Sequence, residues 1–328
     1  MAPDPNRPPT GAPLPCIIDT DVAIDDWMAM LFLLGHPQVD MRAITVTATG
    51  EAHAKPGVRT AQGLLALAGN EGAAVAVGRS TPLRGRQAFP LALRLAMDVR
   101  LFLRLPRLPR PASQQGAAAL LASQIVASPQ PVTIVALGPL TNLAGALLAQ
   151  PALAGRIARI VIMGGAWRVP GNIEALSPKI DNPHAEWNIF CDPYAAEVVL
   201  RCGAPITLMP LDATDQVPLT DDLVRRLAAR PSTPASQFVL RAIRRIRPLL
   251  RGQTFYLWDP LAAVVAVYPK IVTCEQRRVR VVQEPGRELG RVVEDAEGGA
   301  VNIAVQVDRP AFERAFVASL TGEWRNDR

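Results

Sequence analysis

The run "PCIIDTDVAIDDWMAM" occupies residues 15–30 and decides how the rest of the chain is read. It sets Asp19, Asp21, Asp25 and Asp26 within eight positions, between apolar residues 16–18 and 27–32. One aspartate at such a junction is an N-cap, its carboxylate accepting from free amide groups at a helix start. Four like charges exceed what one helix start can use, and their repulsion calls for a counter-charge. Hard divalent cations such as Ca²⁺ and Mg²⁺ take several carboxylate and carbonyl oxygens, so the run reads as a strand exit carrying a metal loop.

Outward from that loop, short apolar runs alternate with helical periodicity. Residues 14–18 read as a buried strand and 25–34 as a helix stopped by Gly35 and Pro37. Further strands are expected at 41–48, 73–77, 132–137, 159–163 and 205–209, with helices at 58–68, 117–127 and 141–150. Asp192 with Pro193, and Thr220 with Asp221 and Asp222, open two more helices. Residues 83–113 are rich in arginine and proline and read as a loop with one helix near the mouth of the site. Three late strands, 272–283, 290–294 and 300–307, read as a small β-rich C-terminal appendage. The pattern predicts an α/β fold: an open, mostly parallel twisted sheet with helices on both faces. It is expected to form one catalytic domain over 14–328, behind a flexible proline-rich tail at 1–13. In such sheets ligands bind beyond the carboxyl ends of the strands, which gives a test for every other motif.

Composition narrows the class. With 328 residues, 49% of them hydrophobic and 5% aromatic, the chain can bury a substantial core of strands covered by helices. The net charge of +6 comes largely from arginines. Arg241, Arg244, Arg245 and Arg247 fall mostly on one helical face. Without aromatic interleaving or a nucleic-acid motif, that face reads as solvated or subunit-contacting rather than as a nucleic-acid surface. Cys16, Cys191, Cys202 and Cys274 lack zinc-type pairing and no signal peptide is visible, so free thiols in a reducing, cytoplasmic compartment are expected. No apolar stretch approaches the ~20 residues of a membrane span. His36, in "GHPQ", reads as a surface residue at a helix end.

Four more motifs fall at predicted strand exits. "VALGPLTN" ends a strand at Leu137, where Gly138 and Pro139 force a turn that leaves a backbone carbonyl pointing outward. "IMGGAWRVPGN" delivers Asn172. "DNPHAEWNIFCDP" holds Glu186 and Asn188 two positions apart, on one side of a segment read as extended. "FYLWDPLAAVVAV" puts Asp259 at the mouth of an apolar helix. Each alone reads as a cap, a turn residue or loop surface; their shared location raises the functional reading.

Together, "DTDVAIDD", "LGPLTN", "IMGGA", "GN", "AEWNIFCDP" and "WDPLAA" resemble, in order and spacing, the signature blocks of the nucleoside hydrolases, over about residues 14–270. The resemblance implies a mostly parallel α/β fold, a tightly bound Ca²⁺, and cleavage of the N-glycosidic bond of ribonucleosides to free base and ribose. By matching positions it implies that Asp21, Asp26, Asp259 and the main-chain carbonyl of Leu137 ligate calcium. Asp21 is then the general base that deprotonates a calcium-held water. Asp25, Asn172, Glu186 and Asn188 would grip the ribose hydroxyls, with Asp19 supporting the loop from behind. Family members are commonly dimers or tetramers, so a homo-oligomer is expected. The residue types suit the chemistry, because glycosidic cleavage passes through an oxocarbenium-like transition state that carboxylates stabilise.

The chain also departs from the pattern. Trp258 stands where inosine–uridine-preferring members carry histidine, and Trp187 where phenylalanine is common. Both resemble the purine-preferring branch, where aromatic rings stack on the base, so purine nucleosides are the expected substrates. Glu51, in "TATGEAH", stands where a smaller amide or acid is usual and is assigned a hydroxyl contact, while Ala23 removes one. His53 and His184 are candidates to protonate the leaving base, since imidazole titrates near neutrality. Two other readings stay open. "DTDVA" also resembles the nucleophile loop of haloacid-dehalogenase-like phosphatases, with Asp19 attacking phosphorus, Asp21 as acid/base and Mg²⁺ bound. That leaves Asp25 and Asp26 unexplained. A non-catalytic nucleoside- or nucleic-acid-binding module would use the arginines but has no need of the strand-end carboxylates.

Overall fold

The alternation of apolar runs and helical periodicity resolves into one sheet of nine strands with helices on both sides. The computed structural model describes residues 12–100, 103–108, 111–230, 232–250 and 252–325, so nearly all of the expected tail lies outside the described residues. In chain order the strands are β1 (Leu14–Thr20), β2 (Val39–Val46), β3 (Ala74–Val77), β4 (Val132–Ala136) and β5 (Ile157–Met163). They continue with β6 (Ile206–Met209), β7 (Val272–Val281), β8 (Val292–Glu294) and β9 (Gly299–Val307). Their spatial order is β3-β2-β1-β4-β5-β6-β9-β7-β8.

Strands β1 to β6 all pair parallel, and β9 joins β6 in parallel. The three late strands therefore continue the main sheet, with β7 antiparallel to both β9 and β8. β1 is flanked by β2 on one side and β4 on the other, so the order reverses at β1 and a crevice opens beyond its carboxyl end. The aspartate run emerges at that point.

Alternation along β1 divides the core. Cys16 and Ile18 pack with the helices Ile24–Gly35, Trp258–Val267 and Arg309–Thr321, while Ile17 faces the helices Ala117–Ala127, Thr141–Ala149 and Pro193–Leu200. Both faces being covered explains why the strands read as continuous apolar runs. On the helix Pro234–Ile246, Arg241, Arg244 and Arg245 point to solvent, as the sequence pattern expects.

Several elements differ from expectation. β2 ends at Val46: the Thr47 amide still donates to the Thr20 carbonyl at 2.8 Å, and a turn closed by the Gly50 amide on the Thr47 carbonyl at 3.2 Å then starts the loop over the aspartate run. The next helix spans Ala54–Leu67 and so includes Pro56 and Gly57; Pro56 falls in the first turn, where no intrahelical amide bond is lost. Glu186 and Asn188 are not on an extended segment: Glu186 caps the short helix Trp187–Cys191, accepting from the amides of Asn188 and Ile189. His36 is buried rather than at the surface, packed among Phe32, Tyr268 and Trp324, with Nε2 3.0 Å from the Tyr268 hydroxyl. Desolvation pushes its imidazole down to about 3, so it is neutral at physiological pH.

Candidate active site

Beyond the carboxyl ends of β1 and β4 lies a cavity of about 330 Å³. All four motifs reach it, although the one holding Asp259 follows a loop and opens the helix Trp258–Val267 rather than leaving a strand as the sequence pattern expects. Its floor carries Asp21, Asp25, Asp26 and Asp259, with Glu51, Leu137, Asn172, Glu186 and Asn188 around them and Trp258 at one wall. His53 and His184 do not line it. His53 Nδ1 instead sits 2.7 Å from Asp98, and the His184 backbone amide donates to Asn182.

The loop after β1 makes a sharp local reversal. Val22 adopts φ +65°, a left-handed conformation that a β-branched residue enters at a cost of roughly 1–3 kcal/mol. Two bonds hold it: its amide donates to Thr20 Oγ1 at 3.0 Å, and Trp27 Nε1 donates to its carbonyl at 2.8 Å. The reversal delivers Asp21 to the cavity and lets Asp26 accept from the Ala23 amide at 2.9 Å and from the Thr20 hydroxyl. Asp21 is clamped by the loop after β2, where the Glu51 amide donates to its Oδ2 at 3.0 Å. Glycines at 50 and 138 permit this approach, because a Cβ on Gly50 would lie 2.2 Å from Asp21 Cβ and one on Gly138 would lie 2.9 Å from the Asp21 nitrogen.

Charge is the dominant feature. Six acidic side chains line the cavity and, among the described residues, no lysine, arginine or histidine does. Burial, compounded by the neighbouring carboxylates, pushes Asp21, Glu51 and Asp259 far above the ordinary carboxylate range, and Asp25 up to about 8. Asp26 sits between Asp21 and Asp259 and shares hydrogen bonds with both. Such a cluster must either keep protons or bind a cation. One oxygen each from Asp25, Asp26 and Asp259 lie within 4.8 Å of one another, and this all-oxygen donor set fits a hard divalent metal. This trio includes Asp25, while Asp21 adjoins it through its bond to Asp26 and is held by the Glu51 amide.

The polar wall is held by backbone donors. Glu186 accepts from the amides of Asn188 at 2.8 Å and Gly165 at 3.0 Å; burial raises it to about 7 against the pull of these bonds. Asn188 Nδ2 donates to the Leu137 carbonyl at 3.3 Å and to the Met163 carbonyl at 3.2 Å. Asn172 accepts from the Trp187 amide at 3.1 Å. Trp187 stacks on Phe89, with ring centroids 4.8 Å apart. Asp259 occupies the first turn of the helix Trp258–Val267, where Leu257 holds the cap position, and its carboxylate lines the cavity bonded to Asp26.

Residues without a motif of their own complete the enclosure. Leu93 and Met97, on the helix Leu91–Asp98, form a roof, and Ile246, Leu250 and Phe255 form the opposite side. That roof helix lies within the irregular arginine-rich stretch, where one helix near the mouth is expected. The buried Arg94 ties it down, donating to the carbonyl oxygens of Ala48 at 2.8 Å and Ala52 at 3.4 Å.

Asp19 is not at the cavity. It lies behind the loop, buried, accepting from Thr45 Oγ1 at 2.7 Å and Asn142 Nδ2 at 2.8 Å. A carboxylate enclosed in this way has no path to a phosphoryl group, which removes the phosphatase alternative.

An open parallel sheet whose switch-point crevice combines clustered acids with aromatic walls defines an α/β enzyme acting on a small polar substrate. A family model described as inosine-uridine preferring nucleoside hydrolase matches residues 16–314. Uridine nucleosidase 1 of Arabidopsis thaliana is 36% identical over 273 residues, 81% of this chain and 77% of the relative. The pyrimidine-specific ribonucleoside hydrolase RihA of Shewanella sp. (strain MR-7) is 37% identical over 321 residues, 93% of this chain and 96% of the relative. Among solved structures, a plant nucleoside hydrolase, the PpNRh1 enzyme, superposes with a TM-score of 0.84 at 31% identity, covering 94% of this chain and 99% of that one. A purine-preferring ribonucleoside hydrolase from Gardnerella vaginalis gives 0.79 at 28% identity, covering 95% and 99%. The chain belongs to the inosine-uridine preferring nucleoside hydrolase family and is a ribonucleoside hydrolase. No described helix is long and apolar enough to cross a membrane.

Proposed function

We propose that residues 14–328 act as one catalytic unit that hydrolyses purine ribonucleosides in preference to pyrimidine ones, with Asp21 as general base and calcium as the resident cation. The observation that carries the base preference is the makeup of the cavity: a floor of acids faces aromatic rings, with Trp258 at the wall and no imidazole lining it among the described residues. Asp21, Asp26, Asp259 and the Leu137 carbonyl are the donors for calcium, with Asp25 close enough to share it. When bound, the cation supplies positive charge that orients a water and lowers its pKa. Asp21, fixed by the Glu51 amide, takes that water's proton as its oxygen bonds to C1 of the ribose. The electron pair of the C1–N bond passes to the base. Asp25, Glu51 and Asn188 hold the ribose hydroxyls, and the carboxylates stabilise the positive charge developing on the ring. Trp258 packs against the base.

The unpaired thiols of all four cysteines support a reducing, cytoplasmic setting. Exposed Leu91 and Leu95, one helical turn apart, supply apolar surface for the expected homo-oligomer.

The test is incubation of the protein with inosine, guanosine, adenosine, uridine and cytidine, with assay of free ribose. Purine nucleosides are expected to turn over fastest, and Trp258→Ala to slow them by about tenfold or more while slowing uridine much less. Several relatives are named for uridine or pyrimidine nucleosides. Faster turnover of uridine and cytidine, with equal losses on all bases in Trp258→Ala, would overturn the purine reading.

A further inference from the structure

We infer that Asp215 is a positioning residue for departure of the base: its carboxylate fixes the Trp258 ring and makes the ring's π face a better host for a base that is gaining a proton. The inference rests on the stacking of the base on Trp258 proposed above.

Trp258 is half-buried at the first turn of its helix, next to Asp259. Its indole N–H, a donor with no acceptor capacity, donates to Asp215 Oδ1 at 2.8 Å. Asp215 follows the short helix Leu211–Thr214 beyond the end of β6, 43 residues away in sequence. Its neighbour Asp212 is committed elsewhere, accepting from the backbone amides of Trp167 and Arg168, both at 2.8 Å. Two aromatic rings also pack against it. Phe255 meets it edge-on at 5.3 Å, and Tyr256 lies tilted at 5.7 Å. Asp215 therefore supplies the directional bond that sets how the indole faces the cavity.

The same bond has an electronic consequence. A carboxylate accepting from an N–H forms a charge-assisted bond and shifts electron density into the donor's ring. A face richer in electrons attracts a cation more strongly through its quadrupole, and tryptophan is already the best aromatic host for one. During hydrolysis the stacked base takes a proton from solvent, the C1–N bond breaks with its electron pair going to the base nitrogen, and water gives its oxygen to C1 and one proton to Asp21, which returns it to solvent. As protonation runs ahead of bond cleavage, the purine carries part of the proton's positive charge until that pair arrives. An indole polarised by Asp215 stabilises the base at that moment and not before, which is the condition for raising kcat rather than lowering KM.

The test compares two leaving groups. Inosine needs protonation of its base, whereas 4-nitrophenyl β-D-ribofuranoside releases a stabilised phenolate that needs none. Asp215→Ala is expected to lower kcat on inosine by about tenfold with KM changed by less than about threefold, and to leave the 4-nitrophenyl riboside within about twofold of wild type. Asp215→Asn keeps an acceptor for the indole without the charge, so it should leave KM at the wild-type value and restore only part of kcat. Equal losses on the two substrates would assign Asp215 a purely structural role and overturn the inference, as would full activity of Asp215→Ala on inosine. Failure of the stacking reading shows separately, as inosine hydrolysis insensitive to Trp258→Ala.

Discussion

Replacing Gly50 by alanine should disable the enzyme while leaving it folded. A methyl group at that position would lie 2.2 Å from both Cβ and Oδ2 of Asp21 and 2.6 Å from Cγ. Carbon atoms pack at about 3.5–4 Å, so more than 1 Å of relative movement is required. Asp21 cannot supply it cheaply, because its Cβ is fixed to a backbone whose other side faces Gly138. There even a methyl would come within 2.9 Å of the Asp21 nitrogen. The strain falls on the carboxylate and on its 3.0 Å bond from the Glu51 amide. A displacement of about 1 Å in a catalytic group lowers turnover by roughly 10²-fold. Overpacking of this kind typically destabilises by about 1–3 kcal/mol, which lowers the melting temperature of a chain this size by only several degrees.

The assay is kcat/KM on the fastest ribonucleoside alongside a thermal melt, with two controls. Gly155→Ala meets nothing within 4 Å and should behave as wild type. Asp21→Ala removes the proposed base and should abolish hydrolysis. A folded Gly50→Ala enzyme within about threefold of wild-type kcat/KM would refute the reasoning. Either the Asp21 carboxylate would not be the constrained group, or its position would not matter to the chemistry.

Charge gives two further outcomes. Burial raises Asp19 from 3.8 and Glu186 from 4.5, each to about 7, so the folded state binds more protons than the unfolded one between those values. Metal-free protein should therefore lose stability as pH rises from about 4 through 7. Added Ca²⁺ should restore melting temperature most at the high end, and a chelated protein whose melting temperature is flat or rising over that window would contradict this. Arg94→Ala removes the donor shared by the Ala48 and Ala52 carbonyls and should destabilise by about 1.5–3 kcal/mol in denaturant titration. Because Arg94 also docks the roof helix, KM should rise; lost stability with unchanged KM would show that the roof does not contact substrate.

Part of this site can be read from the sequence because some of its polar members come directly after strands. Ile17 and Ile18 mark a buried strand, the switch-point rule places the residues after them at the crevice, and Asp21 and Leu137 inherit their location from β1 and β4. Asn172 arrives on a longer loop after β5, and Asp259 follows no strand but opens the helix Trp258–Val267 after a loop. The apolar roof has no such signature. Leu93 and Met97 look like any amphipathic helix residues, and reach the cavity only because Arg94 anchors their helix to carbonyl groups about forty residues earlier in the chain. His36 fails as a surface residue for the same reason: Gly35 and Pro37 mark a helix end, but the rings that bury it arrive as Tyr268 and Trp324. Asp215 reads as an ordinary acid after a short helix until Trp258 is placed beside it.

The division of labour among the four aspartates is where sequence reasoning stops, and the cause is one residue. Spacing alone puts Asp21 and Asp25 in the same short loop without saying which carboxylate turns toward Asp26 and Asp259. That choice depends on the chain path at Val22, which is left-handed despite a side chain that disfavours it. No propensity predicts valine there. The conformation persists because Thr20 and Trp27 bond both its amide and its carbonyl. Those bonds compensate the strain, and the path they fix brings Asp25 within reach of Asp26 and Asp259 while Asp21 lies between Asp26 and the Glu51 amide. A base must reach water as well as share in the cation's field, and a carboxylate bonded to Asp26 on one side and held by the Glu51 amide on the other is placed to do both.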